Sequence, residues 1–247
     1  YTVLPPSESW ATVLIVLGVA SMVIGGLLAS GQWDLKRLLA YSSISQMGYV
    51  VLALGVAAEV MAPGHSQDRT IAGLLLFGGL FHLFNHAAFK SLLFLSAGSI
   101  EYATGTRQLK EMGGLVRRMR TTSFCCRVGA LSIAGVPPFN GFFSKLIIIV
   151  ALALAGHPVL AAVAAGVAVL TLVYFVKVQR YVLEGEPGKR VASAREAPAM
   201  MRVGLVLLAV VCILAGLAMA PLWTHVFEPA SDALLAGFGA VSTGGAP

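Results

Sequence analysis

Two lysines stand where a lysine is costly. Lys90 closes the run Phe81-His82-Leu83-Phe84-Asn85-His86-Ala87-Ala88-Phe89-Lys90, and Lys145 closes Gly135-Val136-Pro137-Pro138-Phe139-Asn140-Gly141-Phe142-Phe143-Ser144-Lys145. Both runs sit inside long apolar stretches. His86 is near the midpoint of the stretch Ile71–Ile100, which puts Lys90 about 6 Å from its centre at the rise of a helix. A lysine at the middle of a bilayer helix costs at least about 2.5 kcal/mol on insertion scales. Such a residue needs a compensating role, and the role open to a titratable group inside a membrane is to carry a proton.

The neighbours of these lysines fit that chemistry. His82, His86 and Lys90 are spaced four apart, so a helix gathers them on one stripe with Asn85 and Phe89 alongside. A single buried histidine would read as a packed side chain with one hydrogen-bond partner. Three titratable groups on a stripe read as a path that bridging water completes. A metal reading is weaker, because the HEXXH zinc motif needs a glutamate where Leu83 stands. At Lys145 the signal is the backbone. Pro137 and Pro138 lack amide donors and clash with the preceding turn, and Gly135 and Gly141 flank them. The helix is expected to break there, and irregular backbone at membrane depth survives only inside protein or around a hydrated cavity. Broken helices of this kind build ion sites in transporters. The bland alternative is a proline kink with a snorkelling lysine. A third set is Asp34-Leu35-Lys36-Arg37, which composition alone reads as an ordinary turn. The polar run Tyr41-Ser42-Ser43-Ile44-Ser45-Gln46 after it is suited to holding water leading inward from Lys36.

The elements that position these groups follow from hydropathy. The 247 residues are 57% hydrophobic and 11% charged, with a mean hydropathy of +0.85. A soluble domain carries about 25% charge. The expected class is all-α and polytopic transmembrane, since a span needs roughly 20 apolar residues and six such stretches occur. They run about Trp10–Gly31, Leu38–Ala57, Ile71–Ala103, Thr122–Ala155 (broken at Pro137-Pro138), Val159–Leu183 and Val203–Leu222. Residues 1–222 read as the transmembrane domain and 223–247 as a flexible extracytoplasmic tail rich in Ala, Gly and Ser. Glu8 is the only charge before the first stretch, which at about 22 residues exceeds the core of a signal peptide. It reads as a true span.

The net charge of +6 does not point to nucleic acid, because the charges lie between apolar runs and form no basic face for it. Cys125, Cys126 and Cys212 make no CxxC pair and lie in apolar stretches, which argues against a disulfide, zinc or iron–sulfur framework. No nucleotide or redox cofactor motif is present, so no cofactor is expected in this chain. The basic residues divide unevenly. Lys36, Arg37, Arg107, Lys110, Arg117, Arg118, Arg120, Lys189, Arg190, Arg195 and Arg202 fall on one side, with Arg127, Lys177 and Arg180 at adjoining helix ends. Arg69 alone falls on the other. The positive-inside rule makes the first side cytoplasmic and both termini extracytoplasmic. Lys90 and Lys145 belong to neither group.

Four runs together resemble one superfamily: Asp34–Gly48 (DLKRLLAYSSISQMG), His82–Ser99 (HLFNHAAFKSLLFLSAGS), Met112–Leu115 (MGGL) and Gly129–Lys145 (GALSIAGVPPFNGFFSK). It comprises the antiporter-like subunits of respiratory complex I, Mrp cation/proton antiporters and membrane-bound [NiFe] hydrogenases. The resemblance covers about Trp10 to Leu222. The third-span run followed by Thr104-Gly105-Thr106-Arg107 looks most like the hydrogenase and formate-hydrogenlyase branch.

The resemblance implies a fourteen-helix fold with two inverted five-helix repeats, of which this chain supplies the second repeat and the last helix. It implies that Lys145 serves the exit end of a proton path, that His82, His86 and Lys90 feed it, and that Asp34 and Lys36 form a charged pair in the same half. Nothing here corresponds to the first repeat. A separate chain supplying it is one expectation; a truncated or partial sequence is the other.

The expected function is proton translocation within a redox complex of the NADH:quinone oxidoreductase or membrane-bound hydrogenase type, with other membrane subunits and a peripheral redox module as partners. The setting is the lipid bilayer of a bacterial or archaeal plasma membrane. A sodium/proton antiporter module is the alternative within the fold. A passive membrane scaffold that docks a peripheral enzyme is the alternative outside it.

Overall fold

The computed structural model describes residues 8–66, 68–188, 190–218 and 229. Among these residues eight α-helices follow one another: α1 Glu8–Gly31, α2 Leu35–Val60, α3 Arg69–Thr104, the short α4 Leu115–Arg118, α5 Arg120–Ala134, α6 Asn140–Leu154, α7 Pro158–Val178 and α8 Ala199–Leu217. Among the described residues there is no strand, only an isolated antiparallel bridge between Asp34 and Gln108. Five helices among the described residues are long and apolar enough to cross a membrane: Glu8–Gly31, Leu35–Val60, Arg69–Thr104, Pro158–Leu183 and Ala199–Leu217. The fourth expected span is instead the pair α5 and α6, each 15 residues long, separated by Gly135–Phe139. The last expected span is helical to Leu217. The expected tail, 223–247, lies outside the described residues apart from Pro229.

Local chemistry sets the helix ends. Asp34 accepts a hydrogen bond from the Arg37 amide at 3.0 Å and so caps α2, which starts at Leu35, three residues before its apolar run. Asp68 caps α3 in the same way, accepting from the amides of Thr70 at 2.9 Å and Ile71 at 3.2 Å. Gly105 ends α3 in the left-handed region, as helix-terminating glycines do. Pro158 opens α7 at the position where a missing amide costs nothing. At the end of α1, Lys177 of α7 donates to the carbonyls of Ser30 at 2.6 Å and Gln32 at 2.8 Å. A cation there satisfies carbonyls the helix itself leaves open.

The most buried spans are α2 and α3. α2 lies between α1 and α3; α3 also packs on α5, α6 and α8. The α1–α2 seam is close, because glycines face it from both sides. A Cβ placed on Gly48 would lie 2.5 Å from the Met22 amide nitrogen, and one on Gly18 2.6 Å from that of Leu52. Membrane helices associate through small residues of this kind. The outward faces of α1, α7 and α8 carry Val16, Leu17, Leu27, Val169, Val173, Leu207 and Leu214, all more than half exposed. Serines, asparagines, a histidine and two lysines are buried instead. Apolar surface outside and polar groups within is the arrangement a lipid surround stabilises.

On the basic side the connections knit together. Leu35 donates to the Arg107 carbonyl at 2.9 Å, Leu109 to Trp33 at 2.9 Å, and Gly114 to Glu184 at 2.8 Å. Arg127 pairs with Glu184 at 3.0 Å and Arg190 with Glu111 at 3.4 Å. On the opposite side His157 lies 3.3 Å from Glu59.

Candidate functional site

The break between α5 and α6 positions Lys145. Gly135 takes the left-handed conformation, φ 77°. Its amide donates to Ser132 at 3.1 Å, and the Val136 amide returns to Leu131 at 3.1 Å. This pairing is a Schellman motif, and it closes α5 through Leu131 and Ser132. The Ile133 carbonyl is left over: in a continuous helix its donor would be residue 137, a proline without an amide. Lys145 fills the gap, its Nζ donating to the Ile133 oxygen at 2.7 Å. The lysine stem runs over Gly135, with Cδ 3.3 Å from where a Cβ would stand. α6 starts equally close, for a Cβ on Gly141 would lie 1.8 Å from the Ser132 oxygen. Both glycines are thus needed for the lysine to meet the broken end. The ammonium is buried and lies 5.3 Å from the centroid of the Tyr49 ring, within cation–π range.

α3 runs antiparallel to α6 and meets it polar group to polar group. His82 Nδ1 is hydrogen-bonded to Ser144 Oγ at 2.9 Å. One turn along, Asn85 Nδ2 donates to the Asn140 carbonyl at 3.1 Å while Asn140 Nδ2 donates to Asn85 Oδ1 at 3.0 Å. The spacings match, since i,i+3 on α3 faces i,i+4 on α6. The His82 ring also stands 5.6 Å from that of Tyr49.

Lys90 faces α2. Its Nζ donates to the Leu39 carbonyl at 2.7 Å and to Ser42 Oγ at 2.6 Å, and it is buried. From Ser42 the inward face of α2 continues through Gln46 to Tyr49. Gln46 Nε2 donates to Thr171 Oγ1 of α7 at 3.4 Å. Tyr174 OH reaches the same hydroxyl at 3.3 Å, and Tyr49 OH donates to the Ala164 carbonyl at 2.6 Å. The contacts of Lys90 and Lys145 with α2 are therefore seven residues apart, about 10 Å of helical rise. Among the described residues, Gln46 Oε1, His82 Nε2, His86 Nε2 and Asn140 Oδ1 are buried without a hydrogen-bond partner.

The expected residues do not all converge. His82 and Lys90 are buried, but His86 is half-buried; its ring stands edge-on to Phe89 at 5.6 Å. The stripe is continuous in sequence and splits in space: His82 turns to α6, Lys90 to α2, and His86 lies at the edge between them. Asp34 and Lys36 do not pair with each other. Asp34 caps α2 and lies 3.4 Å from Arg107; Lys36 pairs with Glu101 at 2.5 Å; Arg107 lies 3.7 Å from Glu101. This partly exposed cluster sits on the basic side. Ser42 and Gln46 serve Lys90 and Thr171 rather than Lys36. Tyr49, Thr171, Tyr174 and the freed Ile133 carbonyl complete the interior, and only their place on a helix face, invisible in the sequence, distinguishes them.

Broken helix, buried lysines and apolar exterior together define an antiporter-like membrane subunit. Residues 2–171 match the transmembrane family described as NADH:quinone oxidoreductase/Mrp antiporter, and the chain belongs to that family. It is 38% identical over 234 residues to hydrogenase-4 component B of Escherichia coli K12, covering 88% of this chain and 34% of that protein. It is 34% identical over 244 residues to Na(+)/H(+) antiporter subunit A1 of Staphylococcus haemolyticus, covering 92% of this chain and 30% of that one. A solved chain of the Mrp complex from Dietzia sp. DQ12-45-1b superposes with a TM-score of 0.79 at 26% identity, over 94% of this chain and 48% of its own length. The chain thus spans about a third of the length of these curated relatives. They are subunits of multi-subunit membrane complexes, and this chain is a multi-pass membrane protein of the same fold.

Proposed function

We propose that this chain conducts protons between its two buried lysines as part of a larger redox-driven membrane complex. The observation that carries the reading is the Lys145 ammonium, buried at a helix break and held on the Ile133 carbonyl that the break sets free. A purely structural lysine has no reason to sit there. Lys90 is loaded from the basic side, where Ser42 and the Leu39 carbonyl hold it. Gln46, Thr171 and the partnerless Gln46 Oε1, His82 Nε2 and Asn140 Oδ1 supply positions at which water bridges the gap, since buried polar atoms without protein partners are satisfied by ordered water. Two ammonium charges in one low-dielectric interior repel, so a proton arriving at one favours departure from the other. The proton leaves along α6 toward the side of Glu59 and His157. Electron transfer in a partner module supplies the drive by changing the charge next to the interior.

The test is Lys145→Ala in sealed vesicles of the intact complex, with electron transfer and proton uptake recorded together. Proton uptake per electron falls at least tenfold while assembly persists. Undiminished uptake ends the proposal and leaves a scaffold. A second reading, exchange of sodium for protons without a redox partner, is supported by the similarity to Na(+)/H(+) antiporter subunit A1. It predicts that a sodium gradient alone drives proton movement and that no redox subunit co-purifies.

A further inference from the structure

The corner where α5 begins and α8 begins carries charge that the conduction path does not use. Thr121, Ala199, Arg202, Val203, Val206 and Leu207 line a cavity of about 370 Å³ there. Its wall is apolar except at the basic end, where Arg202 stands. Arg202 is exposed and, among the described residues, has no ion pair. The same holds for Arg120, next to Thr121, and for Arg195. The acid nearest this corner, Glu196, is already engaged. It accepts from the Thr121 amide at 2.8 Å, the Thr122 hydroxyl at 2.6 Å and the Ala197 amide at 3.2 Å, and so holds the start of α5. These donors are neutral and leave Glu196 its charge, so the corner keeps three arginines against one carboxylate, an excess of positive charge.

Below Arg202, one side of α8 stays open. Val203, Val206, Leu207, Val210, Leu214 and Leu217 are all exposed and fall at the spacing of a single helix face. From Val203 to Leu217 the stripe is about 21 Å long, more than the roughly 15 Å depth of one leaflet. A cationic mouth on a cavity that opens onto an apolar helix face longer than one leaflet matches the polarity of an amphiphile with an anionic head.

We propose that this cavity is a binding site for an anionic phospholipid, its phosphate on Arg202 with Arg120 and Arg195 beside it, and one acyl chain running from the cavity along the open face of α8. Charge complementarity selects the occupant. A zwitterionic lipid, whose phosphate is balanced by its own ammonium, gains less from this excess of arginine than an anionic one. A transmembrane helix of another subunit would fit the open face but would have to bring its own acid to the mouth. Because the lipid bridges the first turn of α8 and the start of α5, it ties α8 to α5, the half of the broken helix on the basic side.

The experiment uses the detergent-purified complex containing this chain. It is delipidated, then offered phosphatidylglycerol or phosphatidylcholine, with retained lipid counted by native mass spectrometry. Wild type retains phosphatidylglycerol over phosphatidylcholine by at least tenfold. Arg202→Gln, an exposed change that leaves the fold intact, lowers retained phosphatidylglycerol about fivefold, the equivalent of about 1 kcal/mol per basic side chain at a membrane surface. Val206→Trp fills the cavity and removes retention of both lipids. A photo-crosslinking residue at position 206 forms a phospholipid adduct in native membranes. Equal retention of the two lipids, unchanged retention in Arg202→Gln, or an adduct to another protein chain overturns the proposal.

Discussion

Lys90 illustrates how a charge is kept inside a membrane bundle. Its ammonium has three donors, and two of them end on Leu39 O and Ser42 Oγ. A hydrogen bond to a charged group contributes about 1.5–3 kcal/mol, so Ser42→Ala removes a large share of what offsets the burial. The expected result is a lower melting temperature of the purified complex and slower proton uptake, while Ser42→Thr, which keeps the hydroxyl, stays near wild type. Equal behaviour of the two variants would show that the hydroxyl is dispensable to Lys90. The identity of the lysines is legible in the sequence, because a basic residue at that depth stands out in any apolar run. Their acceptors are not. A backbone carbonyl has no sequence signature, and in helices apolar all round the amphipathic pattern that would separate Tyr49 or Thr171 from its neighbours is missing. His86 shows the converse. Spacing puts it on the stripe, but its neighbours hold it half-buried at the edge.

The broken span is the element on which the site depends, and its sequence is unusually readable. Two prolines predict the loss of amides, and the flanking glycines predict the turn and the close approach. What the sequence leaves open is which carbonyl the lysine takes, since that follows from how α6 docks beside α5. The glycines divide by what surrounds them. At Gly141 a methyl group would collide with the Ser132 oxygen at 1.8 Å, whereas at Gly98 and Gly166 nothing lies within 4 Å. Gly141→Ala is therefore expected to destabilise by about 3 kcal/mol, the upper part of the range for overpacking, and to lose the Lys145–Ile133 contact with it. Gly98→Ala and Gly166→Ala, in the interiors of α3 and α7, are expected to be neutral or to stabilise by about 0.5–1 kcal/mol. Thermal denaturation followed by fluorescence-detected size-exclusion separates the cases. A tolerated Gly141→Ala would mean that the two half-helices are not held in contact.

At the scale of the molecule, conduction has a direction only if the chain has one. The basic side carries the α1–α2, α3–α5 and α7–α8 connections, hydrogen-bonded to one another, and nearly all the arginines and lysines outside the interior. The opposite side carries Arg69 beside Asp68, Glu59 and His157. Short connections with such an imbalance set topology by retaining their positive charge on the cytoplasmic side. Under the proposed function this orientation would have Lys90 take protons from the cytoplasm and Lys145 release them outward, so the orientation tests the sense of the proposed path. The chain suits thiol labelling, because Cys125, Cys126 and Cys212 are all buried and contribute little background. Ser66 and Arg195 are exposed on opposite sides, and neither change alters the balance of basic residues enough to invert the protein. A membrane-impermeant maleimide is expected to label Ser66→Cys in intact cells and Arg195→Cys only after permeabilisation. The reverse pattern would put the loading lysine on the outside, and the bundle would have to run inward, whatever the conductance of its interior.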